Sequence, residues 1–263
     1  MTYLIYVLPT MLTFANAGLG FYAIVQIFSC NFQTASWAIL AAVLMDVLDG
    51  FIARATKTAS RFGAEIDSLA DMVSFGVAPA LLVYNLFLGK YGRLGFILCL
   101  FYLLASLIRL ARFNIRNMGV EIRKTNLYRG LTTPVAAGIL ASMVILYEMY
   151  NLGVTKRIIP VVMSTVPFFS HIMPIVIFLL SILMVSEIKF INLKELRFDR
   201  PKSLRILLPL VCLILLIYAY PQNIIFILFF VYIVSSLGAY LLHLVQLMLR
   251  NLNGRHNKQH VNR

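Results

Sequence analysis

The sequence predicts an all-α, polytopic transmembrane helical bundle, and three observations support this fold class. Hydrophobic residues make up 61% of the 263 residues and charged residues only 13%, whereas soluble domains carry roughly 45–50% apolar and about 25% charged residues. The apolar residues are collected in runs of about 20, the length that crosses a bilayer as a helix. Most Lys and Arg residues lie between these runs. We therefore expect one membrane protein without soluble domains.

Eight apolar runs are long enough, or nearly long enough, to span a bilayer. They lie near 4–28, 35–57, 66–88, 93–115, 130–150, 167–187, 204–219 and 222–248. The seventh run is short and is separated from the eighth only by a predicted turn at 220–223, so these two form a predicted helical hairpin. We expect a six-helix core over 1–190, a basic loop with the additional hairpin over 191–250, and a polar tail over 251–263.

The distribution of Lys and Arg predicts the orientation of these spans. With the N-terminus inside, the inner segments hold 19 of the 23 Lys and Arg residues. These inner segments are 54–61, 109–129, 189–205 and the tail from 250. Cytoplasmic segments carry an excess of Lys and Arg, so both termini are expected in the cytoplasm. The same bias explains the net charge of +13, and we expect no nucleic acid partner.

Four of the ten acidic residues lie in the second and third runs. They are Asp46, Asp49, Asp67 and Asp71. A carboxylate at bilayer depth costs at least about 2.5 kcal/mol, so four of them require compensating cations. Carboxylate oxygens without sulfur or imidazole favour Mg²⁺ or Mn²⁺. Two divalent cations would balance the four charges and would form the usual clamp for displacement at phosphorus.

The spacing of these residues predicts that two acidic helix faces meet. The residues that share a face are Asp46, Asp49, Gly50 and Ala53 on the first helix, and Gly63, Asp67 and Asp71 on the second. Only nine residues separate the two groups, so the helices are expected to be antiparallel neighbours. The small residues would let a nucleotide diphosphate approach the backbone, and Arg54 offers a guanidinium to phosphate oxygens.

This pattern resembles the signature of the CDP-alcohol phosphotransferase family. Asp46-x-x-Asp49-Gly50-x-x-Ala53-Arg54, then eight residues, then Gly63-x-x-x-Asp67-x-x-x-Asp71 matches every fixed position. The resemblance implies transfer of a phosphatidyl or similar group from a CDP-linked donor to an alcohol, with release of CMP. It implies metal ligation by all four aspartates: Asp46 and Asp67 bridge two ions, Asp49 holds one, and Asp71 contacts the other and acts as general base. It also implies contacts to the CDP part of the donor from Gly50, Ala53, Arg54, Ser60 and Gly63.

Further segments resemble the bacterial CDP-diacylglycerol–serine phosphatidyltransferases of this family. These segments are 8–16, 67–80, 109–114, 130–137 and 184–186. The resemblance covers about residues 5–190 and leaves out the last two predicted helices. It implies CDP-diacylglycerol and L-serine as substrates in contact with membrane lipids, and a place in the bacterial inner membrane. Family members commonly form homodimers, so a homodimer is also expected.

Serine carries a carboxylate, and its site should therefore contain a cation. Arg109 and Arg112 share a face at the end of the fourth run, and we expect one to pair with the serine carboxylate and the other with a donor phosphate. Asn16 and Asn114 offer donors to the substrate or to a metal-bound carboxylate. Ordinary hydrogen bonding between helices explains these two asparagines equally well.

Three alternatives share part of this evidence. A cation-coupled transporter would also bury carboxylates, but it does not explain the eight fixed positions, and no internal repeat is visible. A membrane prenyltransferase would carry its aspartate motifs on well-separated helices. Within the family, the acceptor could be choline, glycerol 3-phosphate or inositol phosphate. Choline is a cation that prefers an aromatic cage, and Arg109 and Arg112 argue against it.

Overall fold

The computed structural model describes residues 2–56, 61–117, 130–153, 165–186, 220–236 and 238. The described part of the chain is helical and contains no strand, which confirms the predicted all-α class. Its helices are α1 (Thr2–Phe28), α2 (Phe32–Thr56), α3 (Arg61–Asp71), α4 (Ala78–Val83), α5 (Arg93–Asn117), α6 (Thr133–Asn151), α7 (Phe169–Val185) and α8 (Pro221–Ser236).

Six described segments are long and apolar enough to cross a membrane. They are Thr10–Phe28, Phe32–Ile52, Phe62–Tyr91, Arg93–Ile115, Thr133–Asn151 and Val166–Val185, and α8 is a shorter apolar helix. They agree with the first six predicted runs, and the chain is an integral membrane protein. The seventh run at 204–219, the basic loop and the tail lie outside the described residues. The count of eight spans and the three-part division of the chain therefore stay predictions.

Helix α8 begins inside the predicted turn at 220–223. Its first residue is Pro221, and proline is favoured at this position because its missing N–H would have no helical partner there. The N–H of Ile224 donates to the carbonyl of Tyr220 at 3.1 Å. Gln222 and Asn223 therefore lie in the first turn of α8, where both side chains are buried.

Small residues bring the first helices close together. Helix α1 packs along α2 and also contacts α3 and the segment that follows it, while α2 packs on α6 and α5 on α7. A Cβ atom added to Gly20 of α1 would lie 2.3 Å from the Ser74 hydroxyl and 2.8 Å from the Ser74 Cα. Only glycine permits this approach, and close packing is the main attraction between helices in lipid.

The third span is one continuous helical segment whose pitch changes four times. Wider π-helical turns occur at Met72–Val77 and Tyr84–Leu88, and a 3₁₀ turn at Gly89–Tyr91 ends the span. Pro79 has no N–H, so the carbonyl of Phe75, four residues earlier, lacks its α-helical donor. The buried hydroxyl of Tyr102 on α5 donates to this carbonyl at 3.0 Å. The first π-helical segment starts directly after Asp71, and such turns are frequent at functional sites.

Replacing Tyr102 with Phe should destabilise the bundle without changing its shape. The substitution removes the hydrogen bond from Tyr102 to the buried Phe75 carbonyl, which should lower the free energy of unfolding by roughly 0.5–1.5 kcal/mol. Thermal unfolding of the purified protein in detergent measures this change. Tyr91→Phe is the matched control because Tyr91 is exposed; equal losses in the two variants would contradict the role given to the Tyr102 hydroxyl.

Candidate active site

Three of the four aspartates meet beside α1. One carboxylate oxygen from each of Asp46, Asp67 and Asp71 lies within 4.8 Å of the other two. Asp71 is buried, while Asp46 and Asp67 are half-buried. The i, i+4 spacing of Asp67 and Asp71 places them on one helix face, and α1 contacts both of the helices that carry the cluster. We call these three residues the carboxylate cluster.

The fourth aspartate lies close to the carboxylate cluster but has a partner of its own. Asp49 is buried, and its Oδ2 accepts a hydrogen bond from the hydroxyl of Thr13 on α1. Its charge, like that of Asp46, acts on Asp67. Thr13 was not among the residues predicted from the sequence. Its position three residues before Asn16, on the same helix face, is the signal that could have identified it.

Asn16 connects α1 to the cluster. Its Nδ2 donates to Oδ1 of Asp71 at 3.0 Å, and its backbone carbonyl accepts a hydrogen bond from the Ser74 hydroxyl at 2.9 Å. The side chain is completely buried, and its Oδ1 has no hydrogen-bond partner among the described residues. Of the roles predicted for Asn16, the structure shows the bond to a carboxylate of the cluster.

The residues predicted to contact CDP are only partly described. Gly50 follows Asp49 on α2, Gly63 lies one turn before Asp67 on α3, and both are half-buried. Ala53 and Arg54 belong to α2, but their side chains lie outside the described part, as does the whole of Ser60. The CDP contacts therefore stay predictions.

Arg109 of α5 reaches the start of α6. Its Nη1 donates to the hydroxyl of Thr133, the first residue of α6, at 2.7 Å. Its positive charge also acts on Asp71. Of the two predicted arginines, Arg109 is therefore the one for which an interaction with the cluster is described.

Arg112 and Asn114 bond to neighbouring helices in this structure. Arg112 is exposed, and its Nη1 donates to the backbone carbonyl of Val185, at the end of α7, at 2.8 Å; basic side chains commonly bind such terminal carbonyls. Asn114 donates to Glu65 at 3.1 Å and accepts from the Ser68 hydroxyl at 2.9 Å. The bond of Arg112 joins α5 to α7, and the bonds of Asn114 join α5 to α3. For Asn114, these bonds agree with the hydrogen bonding between helices that was one of its two predicted roles.

The sequence from residue 6 to residue 175 matches a family model described as CDP-alcohol phosphatidyltransferase. The chain belongs to this family. The matched region includes the carboxylate cluster, Thr13, Asn16 and Arg109, and it ends within α7. Helix α8 therefore lies beyond the part that the CDP-alcohol phosphatidyltransferase model describes.

Similar members of the family come from bacteria and archaea. The chain is 34% identical over 197 residues to the CDP-diacylglycerol–serine O-phosphatidyltransferase of Helicobacter pylori (strain ATCC 700392 / 26695), covering 74% of this chain and 76% of the relative. It is 33% identical over 192 residues to the Bacillus subtilis enzyme of the same name, covering 72% and 92%. It is 35% identical over 137 residues to the archaetidylserine synthase of Methanothermobacter thermautotrophicus, covering 51% and 56%.

The donor atoms of the cluster suit a hard divalent cation. CDP-alcohol phosphatidyltransferases are in general metal-dependent, and the cluster consists of carboxylates alone. Oxygen-only ligand sets favour Mg²⁺ and Mn²⁺ over zinc. Without a bound cation, three carboxylates so close together would repel one another strongly. The residues of the cluster therefore fit the metal requirement of the family.

Proposed function

We propose that this chain is a phosphatidylserine synthase, which transfers the phosphatidyl group of CDP-diacylglycerol to the hydroxyl of L-serine and releases CMP. The observation that carries the proposal is the carboxylate cluster, formed inside a membrane bundle by the family's signature residues. The choice of serine is supported by the names of the Helicobacter and Bacillus relatives, which specify this donor and this acceptor.

In the proposed site the four aspartates hold two divalent cations, Mg²⁺ or Mn²⁺. Asp46 and Asp67 would be ligands of both ions, Asp49 of one, and Asp71 of the other. When bound, the ions would neutralise the diphosphate of the donor and the departing CMP. Hydrogen bonds from Thr13 to Asp49 and from Asn16 to Asp71 restrict how these carboxylates can turn. Such supporting bonds commonly orient metal ligands.

Asp71 is the proposed general base. It removes the proton of the serine hydroxyl while the serine oxygen forms a bond to the phosphorus of the diacylglycerol phosphate, and the bond from that phosphorus to CMP breaks. A carboxylate can accept at about four positions. The single bond from Asn16 to Oδ1 therefore leaves positions for an ion and for the proton, which a base in contact with a metal requires.

Arg109 is the proposed partner of the serine carboxylate or of a donor phosphate. It interacts with Asp71 and is held by Thr133, so an anion bound to it would lie near the proposed base. Arg112 would have to give up its bond to Val185 and is the weaker candidate for the same role. The CDP part of the donor is proposed to contact Gly50, Ala53, Arg54, Ser60 and Gly63.

The active site is proposed to open to the cytoplasm of a bacterial inner membrane. The positive-inside bias of 19 Lys and Arg residues against four supports this orientation. The same bias supports eight spans with both termini in the cytoplasm. A homodimer remains a prediction. In this arrangement the water-soluble substrate serine reaches the site from the cytoplasm, while CDP-diacylglycerol reaches it from the surrounding lipid.

A different acceptor is the second candidate within the family. Choline, glycerol 3-phosphate and inositol phosphate are the acceptors to compare. The charge of Arg109 beside Asp71 favours an anionic acceptor group and disfavours choline. The transporter and prenyltransferase alternatives lose their support because the chain belongs to the CDP-alcohol phosphatidyltransferase family.

An acceptor screen with the purified protein tests the proposal. With CDP-diacylglycerol and Mg²⁺ or Mn²⁺, we expect CMP release that depends on L-serine and that EDTA or Asp71→Asn abolishes. Glu148→Gln is the matched control, because Glu148 is a half-buried carboxylate on α6 that is not part of the cluster. CMP release with choline, glycerol 3-phosphate or inositol phosphate but none with serine would refute the choice of acceptor.

Asn16→Ala should slow the reaction while leaving the bundle folded. Loss of the bond to Asp71 lets that carboxylate rotate, and removal of such supporting bonds typically costs about 10–100-fold in activity or metal affinity. The measurement is kcat for CMP release at saturating metal, beside thermal unfolding of the same sample. Asn31→Ala is the control, since Asn31 is exposed and its side-chain amide donates to Gln26, away from the cluster. An unchanged kcat in Asn16→Ala would exclude the positioning role.

A further inference from the structure

Helix α8 lies outside the family model and nevertheless belongs to the core of the bundle. The model ends at residue 175, whereas α8 spans Pro221–Ser236. Four of its side chains are at most 9% exposed: Gln222, Asn223, Ile233 and Ser236. A helix that only touched the outside of the bundle would not bury three polar side chains, because buried polar groups require partners.

Two contacts along α8 indicate its direction. Near its start, the ring of Phe226 lies against Phe169 at the start of α7, with centroids 5.8 Å apart. One turn later, Phe229 occupies the space beside Gly138 of α6, where an added Cβ would lie 2.3 Å from its ring. Helix α8 therefore runs from the start of α7 toward the start of α6, and its next turn approaches Thr133, which is five residues before Gly138.

Tyr232 lies on that next turn, and the charge of Arg109 acts on it. Tyr232 packs against the core and interacts electrostatically with Arg109. Arg109 is the residue bonded to Thr133 at the start of α6, the end of α6 that α8 approaches. Electrostatic interactions therefore link Tyr232 to Arg109 and Arg109 to Asp71.

Ser236 is a second polar residue on the same face of α8. It follows Tyr232 by four residues, which places the two side chains one above the other. Ser236 is completely buried, and its hydroxyl has no hydrogen-bond partner among the residues that the structure describes. The buried serines Ser142 and Ser181 donate to carbonyls of their own helices. An unsatisfied buried hydroxyl is costly. The Ser236 hydroxyl is therefore a candidate donor to a bound ligand.

We propose that α8 completes the acceptor site: Tyr232 positions the guanidinium of Arg109, and Ser236 donates its hydroxyl to the acceptor's carboxylate. This inference rests on the proposed function, and it gives the helix beyond the family model a direct part in acceptor binding. Tyr232 is a positioning residue because it acts through Arg109. Ser236 binds the acceptor itself, and neither residue takes part in the chemical step.

Steady-state kinetics of Tyr232→Phe and Ser236→Ala test the inference. Each variant should raise the KM for L-serine about tenfold, the effect of one lost hydrogen bond to a charged group. The KM for CDP-diacylglycerol and kcat should stay within about twofold, because the lost bond serves the acceptor in the ground state and the transition state alike. Tyr147→Phe is the matched control, since Tyr147 is a half-buried tyrosine packed against Phe87 on the other side of α6.

Inhibition by ethanolamine separates carboxylate recognition from general damage. Ethanolamine is serine without its carboxylate, so its inhibition constant should be the same in wild type and in both variants. Equal increases of the KM for serine and the inhibition constant for ethanolamine would overturn the inference, as would a change confined to the KM for CDP-diacylglycerol. A wild-type protein that is inactive with serine but active with another acceptor would refute the proposed function. The KM of both variants for that acceptor would then decide the role of α8.

Discussion

The burial of carboxylates among membrane-spanning helices is the constraint on which the other features of this structure depend. At 4.8 Å, the separation limit within the cluster, two unit charges repel by about 3 kcal/mol at an effective dielectric constant of 20. Insertion of each carboxylate into the bilayer adds a cost of at least about 2.5 kcal/mol. Two divalent cations would turn this repulsion into attraction, and the bundle would then be most stable in the form that is ready for catalysis.

The helices around the cluster hold the carboxylates in place before any substrate arrives. Helix α1 supplies one donor to Asp49 and one to Asp71, and Gly20 lets α1 come close enough to do so. Immediately after Asp71, the third span changes to a π-helical pitch, which rotates the following side chains relative to a regular α-helix. The carbonyl that Pro79 leaves without a donor is satisfied by Tyr102. This bond ties the irregular segment to α5.

Spacing along a helix allowed the fold class, the first six spans and the acidic faces to be predicted from the sequence. Contacts between helices could not be predicted in this way. Thr13 and Asp49 are 36 positions apart, and Arg112 and Val185 are 73 positions apart, so their hydrogen bonds depend on how the helices pack. The sequence also could not decide whether the amide of Asn114 bonds a substrate or a neighbouring helix. In the structure its partners are Glu65 and Ser68 of α3.

A titration of the purified protein with Mn²⁺, followed by electron paramagnetic resonance, tests the metal-binding role of the four aspartates most directly. We expect two bound Mn²⁺ ions per wild-type chain. Asp46→Asn and Asp67→Asn should each lose at least one of them, because these two carboxylates are proposed to bridge both ions. Wild-type protein that binds no Mn²⁺ under conditions where it is folded, or variants that bind as many ions as wild type, would contradict a catalytic metal centre at this cluster.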